Sequence, residues 1–317
     1  MPPRFQRPLA FLCLSASMAL VGCYVALCKP LVAAVPVFLL GWMRFGIAGV
    51  AMASWWRKPA DEAPMDRETK KLLFLESFVG NFLFSLCMLF GVSMTSAVSA
   101  GLILAAIPAA SALMGHYVLG DRLGPRVLAA VACAGAGIAL LAFSKASITG
   151  AGTVGQEVAQ SREWLGDLLV FGAVLCEATF IVIGKKLSAG IGPKRIAAII
   201  NGWGFVLMTP AGLYFAFQFD FQTLDLRLWG LLVFYALAAS VWMVWLWMTG
   251  MKTIPASEAG IFSAMLPITA AAIGVLVFDE AWTGLQAIAF CLALAGLVLA
   301  TLPNRGPQEG PALENTP

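Results

Sequence analysis

Ten apolar runs, each about as long as a helix that crosses a bilayer, are separated along this chain by short polar connections. They lie near 9–28, 33–55, 72–94, 98–119, 125–144, 165–184, 195–217, 228–249, 258–278 and 283–303. About 20 helical residues span a hydrocarbon core. Lipid offers no partner to a bare backbone amide, so helices that satisfy their own backbone are what such runs predict. The expectation is an all-α polytopic membrane protein with ten transmembrane helices. Two connections stand out: the charged segment from Arg57 to Lys71, and the Gly/Ser/Gln-containing stretch from Ala146 to Glu163. Residues 303–317 read as a disordered tail.

The pattern is written twice. Gly91–Leu140 lies without a gap on Gly250–Leu299, matching Gly91 to Gly250, Gly101 to Gly260, Pro108 to Pro267, Gly115 to Gly274 and Gly137 to Gly296, with Asp121 opposite Glu280. Matched Gly and Pro carry weight because each marks a demand of the backbone. With a slightly different offset, Lys29 meets Lys186, Pro36 meets Pro193 and Arg44 meets Asn201. Each half then holds five spans, residues 1–145 and 164–302, joined by an external linker at 146–163. An odd number of spans inverts the second half relative to the first, an architecture of secondary transporters.

Charge fits this count. Of the 20 Lys and Arg, only Lys29, Lys145, Arg162 and Arg227 fall on the outer side, and Arg44 lies within a span. The rest fall in alternate loops, which places both termini in the cytoplasm. Composition agrees: 60% of residues are hydrophobic, 12% are charged, and mean hydropathy is +0.87, outside the range of soluble domains. Leu20-Val21-Gly22-Cys23 looks like a lipoprotein cleavage site. Cleavage there would remove most of the first span, and apolar sequence follows at once, so the run reads as a span. The seven Cys are scattered without paired spacing and read as small apolar filler.

These residues together resemble the drug/metabolite transporter superfamily, in its EamA-like branch. The resemblance rests on Gly22, Lys29 and Pro30 in the first span, and Pro36 and Arg44 in the second. It continues in Ala100, Gly101, Pro108, Gly120 and Asp121, in Ala259, Gly260, Pro267, Asp279 and Glu280, and in the closing spans with Gly137 and Gly296. It implies two EamA-like five-helix repeats around a central cavity, and export or facilitated movement of small polar metabolites, amino acids among them. Where the family often carries Trp in the sixth span, this sequence has Glu177.

Polar residues inside the spans are the candidate site. Arg44 sits about 12 Å along its helix from Pro36, and a mid-membrane charge faces a cavity or a partner. It could hold a substrate carboxylate, and Glu177 a substrate amine or a proton; alternatively, the two form a structural ion pair, or Arg44 bonds helix carbonyls. Ala173, Glu177 and Gly184 share one helical face. Asn81 and Asn201 could bind polar groups or act as interhelical hydrogen bonds. Pro108 and Pro267 break helices, freeing carbonyls for a cavity or kinking for packing. Tyr235, Trp242 and Trp245 fall on one face of the eighth span, ready to stack on a substrate or to form an aromatic belt. Glu76 and Lys29 read as boundary residues that snorkel. Asp121 and Glu280 read as complements to the N-terminus of the next helix in each half, and His116 as a packing or helix-end residue.

One His and no clustered acids argue against an enzyme, a metal site or a cofactor. No basic patch points to nucleic acid. The expected partners are a small-molecule substrate, protons, the lipid bilayer and a second copy in a homodimer, and the expected location is the inner cell membrane. A channel-like facilitator and a non-transporting scaffold are the alternatives.

Overall fold

The computed structural model describes residues 6–58, 64–119, 124–148, 154–187, 191–251, 260–280 and 282–301. Over these residues the chain is all-helical. In chain order the helices are α1 (Gln6–Ala34), α2 (Val37–Ala51) and α3 (Arg67–Met94). Next come α4 (Ala97–Leu104, then Ile107–Leu119), α5 (Pro125–Ile148), α6 (Val154–Leu187) and α7 (Pro193–Gln218). The last are α8 (Leu226–Leu237, Ala238–Trp242 and Met243–Met251), α9 (Gly260–Ala264, then Met265–Phe278) and α10 (Gly284–Thr301). Among the described residues, six helices are long and apolar enough to cross a membrane, namely α1, α3, α4, α6, α7 and α8; α2, α5, α9 and α10 carry shorter apolar stretches.

Helix starts follow local chemistry. Pro36 in extended backbone precedes α2, and Pro193 opens α7, where its missing N–H is no loss. Asp66 and Asp225 accept the Thr69 and Leu228 amides at 2.8 Å to cap α3 and α8. One expectation shifts. The stretch read as a linker, 146–163, is helical at both flanks, since α5 continues to Ile148 and α6 begins at Val154. Gln, Glu, Ala and Arg in that stretch are good helix formers, and their polarity hid the extension from a hydropathy reading. Asp121 and the tail 303–317 lie outside the described residues.

Two helices break at their prolines. In α4 the ladder is interrupted at 105–106, just before Pro108, and in α9 a 3₁₀ turn precedes Met265 and Pro267. Two others widen into π turns, α3 over Glu76–Leu83 and α8 over Ala238–Trp242. Both π stretches end the same distance before the matched glycines Gly91 and Gly250. Such turns recur at functional sites because they re-aim side chains.

The helices pack in definite pairs: α5 on α10, α2 on α7, α4 on α9, α3 on α6, α8 on α1, α1 on α9 and α6 on α4. Matched glycines mark the closest of them. A Cβ on Gly137 would lie 3.0 Å from the Ala289 carbonyl oxygen, and one on Gly296 would lie 2.9 Å from that of Ala130, so α5 and α10 meet backbone to backbone.

Candidate functional site

Arg44 is 6% exposed, midway along α2. Its Nη1 donates to Ser85 Oγ on α3 at 2.9 Å, and its guanidinium carbon lies 4.8 Å from the Phe45 ring centroid and 5.6 Å from that of Tyr235 on α8. Its Nε has no hydrogen-bond partner. Around it the two π stretches contribute polar atoms. Ser85 Oγ donates to the Asn81 carbonyl at 2.5 Å, and Asn81 Nδ2 donates to the Ile200 carbonyl on α7 at 3.0 Å. Ser240 Oγ on α8 donates to Asn201 Oδ1 at 3.0 Å, while Asn201 Nδ2 donates to the Ala197 carbonyl at 2.8 Å. Arg44, Asn81, Asn201 and Tyr235, singled out from sequence, thus meet where α2, α3, α7 and α8 converge. Both amides carry interhelical hydrogen bonds.

Glu177 sits deep in α6 yet keeps accessible surface. Among the described residues it makes no ion pair, so the structural pair with Arg44 is not formed; the ion pair seen is Lys29 with Glu280. The two charges are nevertheless close enough that both act electrostatically on the Tyr24 phenol, whose ring stands edge-on to Tyr235 at 5.8 Å. Tyr24 is the site residue that sequence reading missed. Its phenol has no charge, and nothing in its apolar context sets it apart.

Glu76 corrects a second expectation. Rather than snorkelling at a boundary, it is 1% exposed at the opening of the α3 π turn, and its Oε2 has no hydrogen-bond partner. The helix extends beyond the apolar run to Arg67, which carries Glu76 inward. Opposite it is α6, where a Cβ on Gly184 would lie 3.1 Å from Glu76 Oε1.

Trp242 does not join the site. It is 40% exposed and packs edge-on to Phe234 at 6.0 Å, and Trp245 is exposed as well. The intervening π turn shifts the helical phase, so the predicted common face with Tyr235 is not kept. At Pro108 and Pro267 the carbonyls that the rings free lie four residues earlier, at Leu104 and Ser263, while the prolines' own carbonyls have close neighbours. Pro108 O accepts Ser111 Oγ at 3.0 Å, and Pro267 O would lie 3.4 Å from a Cβ on Gly101. Cys87 on α3 packs against α6, where a Cβ on Gly172 would lie 3.5 Å from its Sγ, a juxtaposition that spacing along the chain could not reveal.

Glu280 caps a different helix from the next one in the chain. Asp279 takes left-handed backbone (φ 51°) at the end of α9, and the Glu280 amide returns to the Gly274 carbonyl at 3.0 Å. That turn brings the Glu280 carboxylate to the N-terminus of α4, where it accepts the Ala97 and Val98 amides at 2.9 and 3.0 Å, and Lys29 Nζ from α1 at 2.7 Å. Lys29 therefore pairs rather than snorkels.

Burial pushes this carboxyl up, but the bonds from Lys29, Ala97 and Val98 together hold it below the usual carboxylate range. A folded value below the unfolded one, about 4.3, means that the stabilisation is complete above that pH and disappears as pH falls through the folded value. Glu280→Gln is expected to cost about 1.5–3 kcal/mol at neutral pH, the range for hydrogen bonds to a charged group. Thermal unfolding in detergent should show that gap closing below about pH 4; a gap constant with pH refutes the assignment.

Comparison with known proteins gives this arrangement its setting. The EamA-like transporter family matches the chain twice, over residues 8–143 and 164–302. The chain is similar to the uncharacterized transporter YetK of Bacillus subtilis (strain 168), 28% identical over 308 residues, which are 96% of this chain and 90% of that protein. It is also similar to the uncharacterized transporter YyaM of the same organism, 24% identical over 223 residues, 70% of either chain. A solved structure with 18% identity superposes over 92% of this chain and 97% of its own at a TM-score of 0.59, a likeness of fold alone. With apolar helices in succession and two family matches spanning most of its length, this multi-pass membrane protein is a transporter rather than an enzyme, and it belongs to the EamA-like transporter family.

Proposed function

We propose that the chain exports a small zwitterionic metabolite, an amino acid in the simplest case, by alternating access between two inverted five-helix halves in the cell membrane. The carrying observation is the unpaired state of Arg44 and Glu177. A buried guanidinium with a free Nε and a half-buried carboxylate that makes no ion pair among the described residues are both felt by the Tyr24 phenol but do not satisfy each other. Unpaired charges away from water are costly, and a molecule with a carboxylate for Arg44 and an ammonium for Glu177 would neutralise both. The bidentate fork of Arg suits a carboxylate.

Helix pairing supports the inverted halves. Exchanging each helix for the one five places along turns α3 on α6 into α8 on α1, and α1 on α9 into α6 on α4, and leaves α5 on α10, α2 on α7 and α4 on α9 unchanged. The backbone-close α5–α10 contact is one of the pairs that the exchange leaves unchanged, and one half could rock against the other there.

Counterflow with the purified chain in proteoliposomes, using a labelled mixture of protein amino acids, tests the reading. A carrier accelerates uptake when unlabelled amino acid is loaded inside. A facilitator shows uptake without acceleration, and a scaffold moves nothing. Orientation is tested separately: tags on Met1 and Pro317 should both be reached only from the cytoplasm, and labels at 149–153 only from outside. Termini on opposite sides would end the inverted-repeat reading.

A further inference from the structure

We propose that Glu76 and Glu177 form a two-carboxyl site that holds one proton in the empty transporter and exchanges it for the ammonium group of the substrate. The exchange rests on the zwitterion reading above; the proton on Glu76 does not.

The geometry of Glu76 is that of an uncharged acid. It is 1% exposed, its Oε2 has no partner, and its neighbours Leu73, Ile183 and Leu187 belong to one apolar cluster between α3, α6 and α7. Glycine at position 184 lets the α6 backbone come close: a Cβ there would lie 3.1 Å from Glu76 Oε1, so the carboxyl would have to give by a few tenths of an ångström. A bare carboxylate there would cost several kcal/mol unless a cation answered it, and among the described residues none is paired with it.

The other charged and polar groups nearby are engaged or remote. On α7, Lys194 lies over the Trp55 ring at 5.5 Å, Arg195 Nη1 donates to the Trp56 carbonyl, and the Asn201 amide is taken up by Ala197 and Ser240. On α6, Lys186 is exposed. On α3 itself, Lys70 and Lys71 precede Glu76 by more than a helical turn, and the Ser77 hydroxyl is spent on the Leu73 carbonyl. The charge that does act on Glu76 is Glu177, two turns before Gly184 on the same face of α6.

Arg44 is near Glu177 but bonded to Ser85; two carboxyls that sense each other, neither in an ion pair among the described residues, resist ionising together, and one proton stays with the pair. Its total charge is then −1 by simple count of two carboxylates and one proton. When an ammonium docks on Glu177, the side with accessible surface, its positive charge takes the proton's place and the proton on Glu76 can leave to water with the total unchanged. Proton and substrate thus compete for one unit of buried positive charge, which is the thermodynamic requirement for antiport. No covalent bond other than the acid O–H changes.

Two measurements on the full chain test this. Infrared spectra of the protein in lipid vesicles at pH 7 should contain a protonated-carboxyl band that Glu76→Gln removes and Glu177→Gln retains. Glu76→Asp should keep the band at a shifted frequency, separating loss of the acid from misfolding. A band that survives Glu76→Gln overturns the proposal. In weakly buffered detergent, the mixture of protein amino acids should release about one proton per chain from wild type and none from Glu76→Gln. Binding without release in wild type overturns the exchange. Failure of the mixture to bind overturns instead the zwitterion reading, and the infrared result then decides the proton on Glu76 by itself.

Discussion

Arg44→Ala is expected to abolish amino-acid counterflow while leaving a protein that still inserts and elutes as a single species in detergent. The loss follows from removing a charge-assisted bidentate contact, worth about 1.5–3 kcal/mol, or about 10–150-fold in affinity. Survival of the fold follows from the wiring around it. Ser85 already donates to the Asn81 carbonyl, and Asn81 to Ile200, so the link from α3 to α7 does not run through the guanidinium. Arg44→Lys should recover part of the transport, because it keeps the charge but loses the fork and the free Nε. If instead the alanine variant aggregates, or transports as wild type does, Arg44 is not the substrate's anchor.

Gly137→Leu and Gly296→Leu should each prevent recovery of folded protein. At 3.0 and 2.9 Å from a facing carbonyl oxygen, the new Cβ alone has no room, and the rest of the side chain forces α5 and α10 apart. Overpacking of a rigid contact costs about 1–3 kcal/mol even in forgiving cores, and here it also strips α5 and α10 of the backbone contact that holds them without a hydrophobic drive. Alanine at either position should give an intermediate loss of thermal stability. The double alanine variant should cost less than the sum of the two, because both substitutions separate the same helices. Additive costs, or tolerated leucines, would show that this seam is looser than its geometry.

Much of the architecture was legible because lipid imposes a simple rule on sequence. The runs near 72–94 and 195–217 became α3 and α7, and Pro36 and Pro193 marked where helices begin. The matched glycines were legible too, since a glycine repeated at one place in both halves asks for a close neighbour, and Gly137 and Gly296 have one. Arg44 and Glu177 stood out because charge is rare in such spans. What hydropathy could not convey was phase and partner. A π turn inserts a residue without altering composition, so Trp242 left the face of Tyr235. Glu76 looked peripheral because helix and apolar run do not start together. Glu280 reached α4 rather than α10 through a left-handed Asp279 that no local pattern announces. Tyr24 became part of the site only through neighbours on α2, α6 and α8.

The partners of α1 have a consequence for how the chain is made. Its main contacts are with α8 and α9, with the backbone of Ala10 close to Gly250 and Ser17 bonded to the Met243 carbonyl at 2.9 Å. From Ala34 to Leu226 the ribosome adds about 190 residues, roughly 10–40 s of synthesis at 5–20 residues per second. During that interval α1 stands in the bilayer without the neighbours it is shaped for, its small-residue faces open to lipid and to other unfinished helices. Its counterpart α6 has no such wait, because α3 and α4 precede it. Chains stalled before α8 should therefore be the ones that membrane quality-control proteases recognise, with α1 as the segment that betrays them.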